Sequence, residues 1–213
     1  MFRDRKDAAE QLGIALEKYR KSNPLVLGIP RGGAETAFYV AKHLNAQMSV
    51  VVTRKLGYPS EPEFAFGAVA EDGSLYLSDH ASTNLSKAEI DGVIESQKTE
   101  IRRRIQLLRG GAALPYLKGR TVIVVDDGIA TGSTLFATIK LCKNKGAEKI
   151  IVAAPIAGED MFDRLFRLVD EVIILETPPF YRAVSQGYAD FKNLTDEEAL
   201  GFMKKWKIEH PDS

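Results

Sequence analysis

Val122-Ile123-Val124-Val125-Asp126-Asp127-Gly128-Ile129-Ala130-Thr131-Gly132-Ser133-Thr134 decides the fold. Four β-branched residues make a buried-strand pattern, two acids end it, and a turn rich in Gly, Thr and Ser follows. From Gly132 to Lys145 the apolar spacing predicts a helix, so the stretch reads as strand, turn, helix. The same unit recurs on both sides. Pro24–Pro30 is a strand pattern ending in Pro30-Arg31-Gly32-Gly33, with a helix expected over Ala34–Leu44. Met48–Arg54 reads as a second strand, Lys149–Pro155 as another, Met161–Asp170 as a helix and Glu171–Glu176 as a last strand. Alternation of this kind, from residue 24 to 175, predicts an α/β fold with a mostly parallel sheet flanked by helices.

The remaining segments are additions to that sheet. Ala8, Leu12, Leu16 and Tyr19 predict an amphipathic helix over 5–21. Phe64–Ala70 and Ser74–Ser78 flank Glu71-Asp72-Gly73, a strong hairpin signal. Ser86 with Glu89 forms a capping box for a long helix reaching about Leu108, and Thr195 with Glu198 caps a final one. Thr177–Phe191 falls outside the alternation. No repeat or linker divides the chain, so residues 1–213 are expected to form one domain.

Composition narrows the function classes. The 213 residues are 45% hydrophobic and 27% charged, with 29 basic and 29 acidic side chains. A formal charge of zero gives no support to a nucleic-acid or membrane-surface partner, and Arg102-Arg103-Arg104 reads as a solvated helix face. No apolar run nears the ~20 residues of a membrane span. The charged N-terminus lacks a secretion signal, and the single Cys142 reads as a small buried hydrophobe. A cytoplasmic protein is expected. His43, His80 and His210 are scattered, so no zinc site is expected.

The opening stretch has its own chemistry. A helix N-terminus offers unpaired N–H groups and suits a phosphate, and Gly128 and Gly132 let backbone approach closely. Thr131, Ser133 and Thr134 add hydroxyl donors. Two carboxylates beside an anion site make sense if they accept hydrogen bonds from a neighbouring diol. A ribose with a 5′-phosphate presents both groups. A Walker loop would need Lys after Gly132, and the GxGxxG fingerprint is absent. An aspartyl-phosphate phosphatase would separate its two acids by one residue. Simple capping explains one Asp and leaves the other unexplained.

Four apolar residues, two acids and Gly-x-x-Thr-Gly-Ser-Thr resemble the phosphoribosyl pyrophosphate (PRPP) motif of type I phosphoribosyltransferases, a highly specific pattern. The resemblance covers roughly residues 24–190. Arg31-Gly32 resembles that family's pyrophosphate loop, and Arg54-Lys55 the pair that opens a mobile catalytic loop in adenine- and orotate-type members. Phe2-Arg3-Asp4-Arg5, the PRGG turn and the stretch around Pro62-Glu63-Phe64-Ala65 are similar to a bacterial group of undefined substrate.

The resemblance implies a fold with a small hood, about 177–191, and a β-hairpin with a flexible loop. It implies a Mg²⁺-dependent transfer from PRPP to a small nitrogenous acceptor in nucleotide metabolism, and a homodimer is compatible with it. Mg²⁺ would be bound mainly through PRPP and water, without direct protein ligands. Asp126 and Asp127 would hold the diol, and Gly128, Ile129, Ala130, Thr131, Gly132 and Ser133 the 5′-phosphate. Arg31, Gly32 and Gly33 would meet the pyrophosphate, with Lys55 and Arg54. Ala130 stands where hypoxanthine–guanine-type members carry an acid for the purine, so Glu61 or Glu63 is the candidate in that role. Phe180 and Tyr181 would stack on the base, or, with Tyr188, form hood core. A non-catalytic PRPP- or nucleotide-binding regulator is the alternative.

Overall fold

The structure is a computed structural model that describes residues 1–78, 81 and 85–211. Five parallel strands, β1 (Leu25–Gly28), β2 (Gln47–Val50), β6 (Thr121–Val125), β7 (Lys149–Ile156) and β8 (Glu171–Glu176), form a sheet in the order β2-β1-β6-β7-β8. A second sheet of β3 (Thr53–Gly57), β4 (Ala65–Ala70) and β5 (Leu75–Leu77) is antiparallel.

The helices are α1 (Arg5–Ala15), α2 (Gly32–Leu44), α3 (Lys87–Arg109), α4 (Ser133–Asn144), α5 (Glu159–Phe166) and α6 (Asp196–Glu209). Strand alternation sorts the core into two layers. Leu25, Leu27, Val122 and Val124 pack with Leu135, Ile139 and Cys142 of α4 and with Met161 and Leu165 of α5. Val26, Ile123 and Val125 face the other way, onto Phe38 and Ala41 of α2, Leu12 of α1 and Trp206 of α6. Both faces are covered, which is why these strands read as unbroken apolar runs.

Helix ends follow their caps. Asp4 accepts the Asp7 N–H and starts α1; Ser86 and Thr195 form the two expected capping boxes. Helix α3 packs Ile101 and Ile105 on Val52, Leu56 and Phe66, which fixes it over the small sheet.

Several boundaries differ from the sequence reading. The first helix ends at Ala15, and Glu17–Ser22 forms a 3-10 turn. The strand expected over Met48–Arg54 is two strands. After Val50 the chain leaves the parallel sheet: Val51 N–H bonds the Gly28 carbonyl and Val52 N–H bonds Glu71. Arg54 and Lys55 therefore lie inside β3, paired with Val69 and Ala68, rather than opening a loop. The helix expected from Met161 begins at Glu159 and ends at Phe166. Cys142 is buried as expected, whereas His80 lies outside the described residues.

Candidate active site

The connection from β1 runs to β2 on one side, while β6, β7 and β8 follow on the other. Ligand crevices open at such a reversal, beyond the carboxyl ends of the strands. Here those ends are Gly28 and Val125, tied where Ile29 N–H bonds the Val125 carbonyl at 3.0 Å.

Residues 126–132 cross the crevice floor. Ile129 N–H bonds the Ile156 carbonyl at 2.9 Å and pins the turn to β7. Gly132 is left-handed (φ 74°) and caps α4 without a side-chain bond, so the first-turn N–H groups of α4 are left for an anion. A Cβ at Gly128 would lie 2.6 Å from Val184, so the hood presses directly on this turn. Ser133 is buried, its hydroxyl 3.4 Å from that of Thr131.

The two acids differ. Asp126 is half-buried and accepts the Asp127 N–H at 2.9 Å. Burial and the adjacent Asp127 charge push its carboxyl well above the ordinary range. Asp127 accepts from Arg5 Nε at 2.7 Å, and its carbonyl accepts the Tyr188 hydroxyl at 2.5 Å. A Cβ at Gly32 would fall 1.8 Å from Asp127 Oδ2, and one at Gly33 would lie 2.9 Å from the Val125 carbonyl. These glycines let the Arg31 loop close down on the acids. The Pro30–Arg31 peptide bond is cis.

The opposite wall is cationic. Arg54 Nε donates to Gln97 of α3 at 3.0 Å, and burial together with Arg104 and Arg31 lowers its pKa, Glu100 and Asp196 opposing them. Arg104, its side chain 11% exposed, lies 2.9 Å from Glu100 and 3.6 Å from Asp196. Asp196 also lies 3.9 Å from Arg31. Arg31, Arg54, Gln97 and Arg104 line a cleft of about 920 Å³, together with Lys55, Tyr58, Glu63, Asp126 and Asp127, residues 128–132, Thr134 and Val184.

Of the expected site residues, Arg31, Arg54, Lys55, Glu63, Asp126, Asp127 and 128–132 thus share one cleft. Gly32 and Gly33 pack behind it, and Ser133 lies in the first turn of α4. Glu61 lines a separate hollow of about 470 Å³ with Tyr58 and Phe64. Phe180 points outward at 90% exposure. Tyr181 packs with Phe2 and Tyr188 in the hood, its hydroxyl buried without a partner among the described residues.

Two contributors escape a reading of the sequence. Arg104 belongs to a run that reads as a solvated face, yet it turns into the cleft. Its spacing from Ile101 and Leu108, three and four residues along the buried stripe, is the signal that could have found it. Arg5 has only its place in the Phe2–Arg5 pattern to mark it.

The phosphoribosyl transferase domain matches residues 5–165. The chain is 42% identical over 207 residues to a Mycobacterium tuberculosis (strain ATCC 25618 / H37Rv) protein provisionally named a phosphoribosyl transferase, covering 96% of this chain and 47% of that one. It therefore spans about half the length of the curated relatives it matches. A ribose-phosphate pyrophosphokinase of Pyrococcus furiosus is 38% identical over 65 residues, 30% of this chain and 23% of that one. Among solved structures, TT1426 from Thermus thermophilus superposes with a TM-score of 0.82 at 36% identity, covering 97% of this chain and 99% of that one.

Proposed function

This chain belongs to the phosphoribosyl transferase domain family, and we propose that it transfers the ribose 5-phosphate of PRPP to a small nitrogenous acceptor and releases pyrophosphate. One observation carries the reading: the N-terminus of α4 and the adjacent acids Asp126 and Asp127 share a cleft with Arg31, Arg54 and Lys55. An anion seat, a diol acceptor and a cationic wall match the three parts of PRPP. The pyrophosphokinase relative, whose name specifies a ribose phosphate, supports the first two.

In this reading the 128–133 turn binds the 5′-phosphate through backbone N–H groups and the Thr131 hydroxyl. Asp126 and Asp127 accept the sugar hydroxyls and favour the positive charge that develops at the ring. The C1′–O bond to pyrophosphate breaks as the C1′–N bond forms. Arg31, Arg54 and Lys55 take up the charge on the leaving group, and Glu63 accepts the acceptor's proton. Closing the 58–64 segment excludes water that would otherwise hydrolyse PRPP.

The donor set fits magnesium brought in by its ligand. Asp126 and Asp127 are given over in this reading to the sugar diol. Pyrophosphate oxygens and water would hold Mg²⁺, which neutralises the leaving group when bound.

The test is a pyrophosphate-release screen with PRPP, Mg²⁺ and a panel of nucleobases. Release with one base is the expected result. Tight PRPP binding without release from any base selects the non-catalytic regulator. Absence of PRPP binding overturns both.

A further inference from the structure

Segments far apart in sequence meet on one carboxylate of the cleft. Arg5, in the first turn of α1, is 7% exposed. Its Nε donates to Asp127 Oδ2 and its Nη1 to the Lys192 carbonyl, each at 2.7 Å. The guanidinium carbon lies 4.3 Å from the centre of the Phe191 ring. Burying an arginine is costly unless its charge is met and its donors are used, and here both conditions hold. Its position is therefore over-determined by a carboxylate, a carbonyl and an aromatic face.

Asp127 is held from the other sides as well. Gly32 backs its carboxylate, and Tyr188 bonds its carbonyl. Asp126 has no comparable clamp among the described residues. Its carboxylate accepts the neighbouring N–H, and Lys55 is the cation that acts on it. Two adjacent, partly buried carboxylates repel each other, so a fixed cation on one of them changes what the other can do. Other charged or titratable groups face this pair: Glu35 from α2, 3.9 Å from Arg5, Lys55 from β3, and Tyr181 and Tyr188 from the hood.

We propose that Arg5 is the positioning residue of the donor cradle, fixing the Asp127 carboxylate so that Asp126 and Asp127 together can accept the sugar diol. The inference rests on the reading of this cleft as a ribose 5-phosphate cradle. It also gives the Phe2–Arg5 pattern a purpose. Phe2 bridges to Tyr188 and packs with it, which carries the N-terminal segment to the hood, while Arg5 carries it to the acid. Three elements distant in sequence are thereby fastened at the sugar rather than at the phosphate.

The test compares wild type, Arg5→Lys, Arg5→Met and the double variant Arg5→Met/Asp127→Asn, with ribose 5-phosphate and inorganic phosphate as probes, by calorimetry between acid and neutral pH. Arg5→Met is expected to weaken ribose 5-phosphate binding about tenfold or more, the scale of a lost hydrogen bond to a charged group. Inorganic phosphate, which needs only the α4 turn, should bind as before. The acid limb of ribose 5-phosphate binding should also move up, because Asp126 then faces an uncompensated Asp127. Asn at 127 should return that limb without restoring affinity. Lysine keeps the charge but loses the fork geometry, so Arg5→Lys should keep the limb near wild type with intermediate affinity.

A purely structural role would lower thermal stability and leave the acid limb in place, which overturns the proposal. If Arg5→Met does not fold, wild-type ribose 5-phosphate affinity in Arg5→Lys overturns it instead. If wild type binds phosphate but not ribose 5-phosphate, the cradle reading fails and this inference falls with it. If wild type binds ribose 5-phosphate and the Arg5 variants match it throughout, only the inference fails.

Discussion

The cleft has two walls, and they are assembled differently. The floor, residues 126–132 leading into α4, is one contiguous stretch whose working groups are largely backbone. The facing wall draws Arg31 from the end of β1, Arg54 and Lys55 from β3, Glu63 from the hairpin loop and Arg104 from α3. Backbone donors cannot drift one side chain at a time, so the floor is committed to a single ligand chemistry. A wall of separate side chains can be altered piecemeal. Under the proposed function, recognition of the sugar and its 5′-phosphate belongs to the floor, and pyrophosphate contact and acceptor choice to the wall.

The largest expected effect falls on the floor. Asp126→Asn with Asp127→Asn should reduce PRPP affinity by about a hundredfold or more, the scale of two lost charge-assisted bonds. The fold should survive, as judged by circular dichroism and denaturation. Asp126→Asn alone should separate binding from stability. Its carboxyl is raised in the folded state by burial and by Asp127. The stability this group contributes is therefore present at acid pH and lost as pH rises through its folded value. Asp126→Asn should then stabilise the free protein at neutral pH while weakening PRPP. Binding that uses the carboxylate should follow the opposite course and fade as pH falls. Equal stability of wild type and Asp126→Asn at neutral pH would break the contrast.

On the facing wall the largest effect should appear in stability, through its foundation. Arg109 closes α3 onto the small sheet: it lies 2.8 Å from Glu71, with the two side chains 5% and 7% exposed, and also donates to the Val50 carbonyl. Arg109→Met leaves Glu71 buried without its counter-charge, at a cost of about 3–5 kcal/mol. Urea denaturation should show the loss. Phosphate binding at the floor, measured below the new midpoint, should remain.

A smaller effect tests the contact between floor and hood. Gly128→Ala would place its Cβ 2.6 Å from Val184 and 2.9 Å from Ile156. Overpacking of this kind costs about 1–3 kcal/mol. If the hood yields, the loss of PRPP affinity should be modest and the loss of stability small. An unchanged protein would show that the hood is not seated on the turn.

The same division explains what could be read from the sequence. Residues 121–134 carry strand, turn and helix signals in one run, so element order, sheet class and the floor were legible together. The 48–54 stretch was not, because its apolar pattern continues through Val50, Val51 and Val52 while the backbone changes sheet. What ends β2 is a pair of long-range bonds, to Gly28 and Glu71, and periodicity does not report those. Arg104 and Arg5 stayed hidden for a related reason. A local pattern marks a charged residue as exposed; the place of Arg104 on the buried stripe is a weak counter-signal, and tertiary packing decides which cation meets the site. Phe180 differs again: an aromatic after the last strand suggests a stacking surface, and the structure leaves its ring exposed, on a left-handed backbone (φ 57°) and outside the lining of the cleft.

The smallest expected effect on stability and PRPP affinity is the most informative for the wall. Glu63 is exposed at the rim of the cleft, in the segment between β3 and β4. Its neighbour Glu61 faces the second hollow instead. Glu63→Gln keeps size and hydrogen-bonding capacity, so stability and PRPP affinity should stay within error of wild type. If Glu63 accepts the acceptor's proton, turnover with the base found in the release screen should fall about a hundredfold, with KM nearly constant. The residual rate should then lose its dependence on a carboxylate in the pH profile. A variant that turns over as fast as wild type would remove the carboxylate from the reaction. Proton acceptance would then pass to solvent, and the facing wall would be left with charge neutralisation alone.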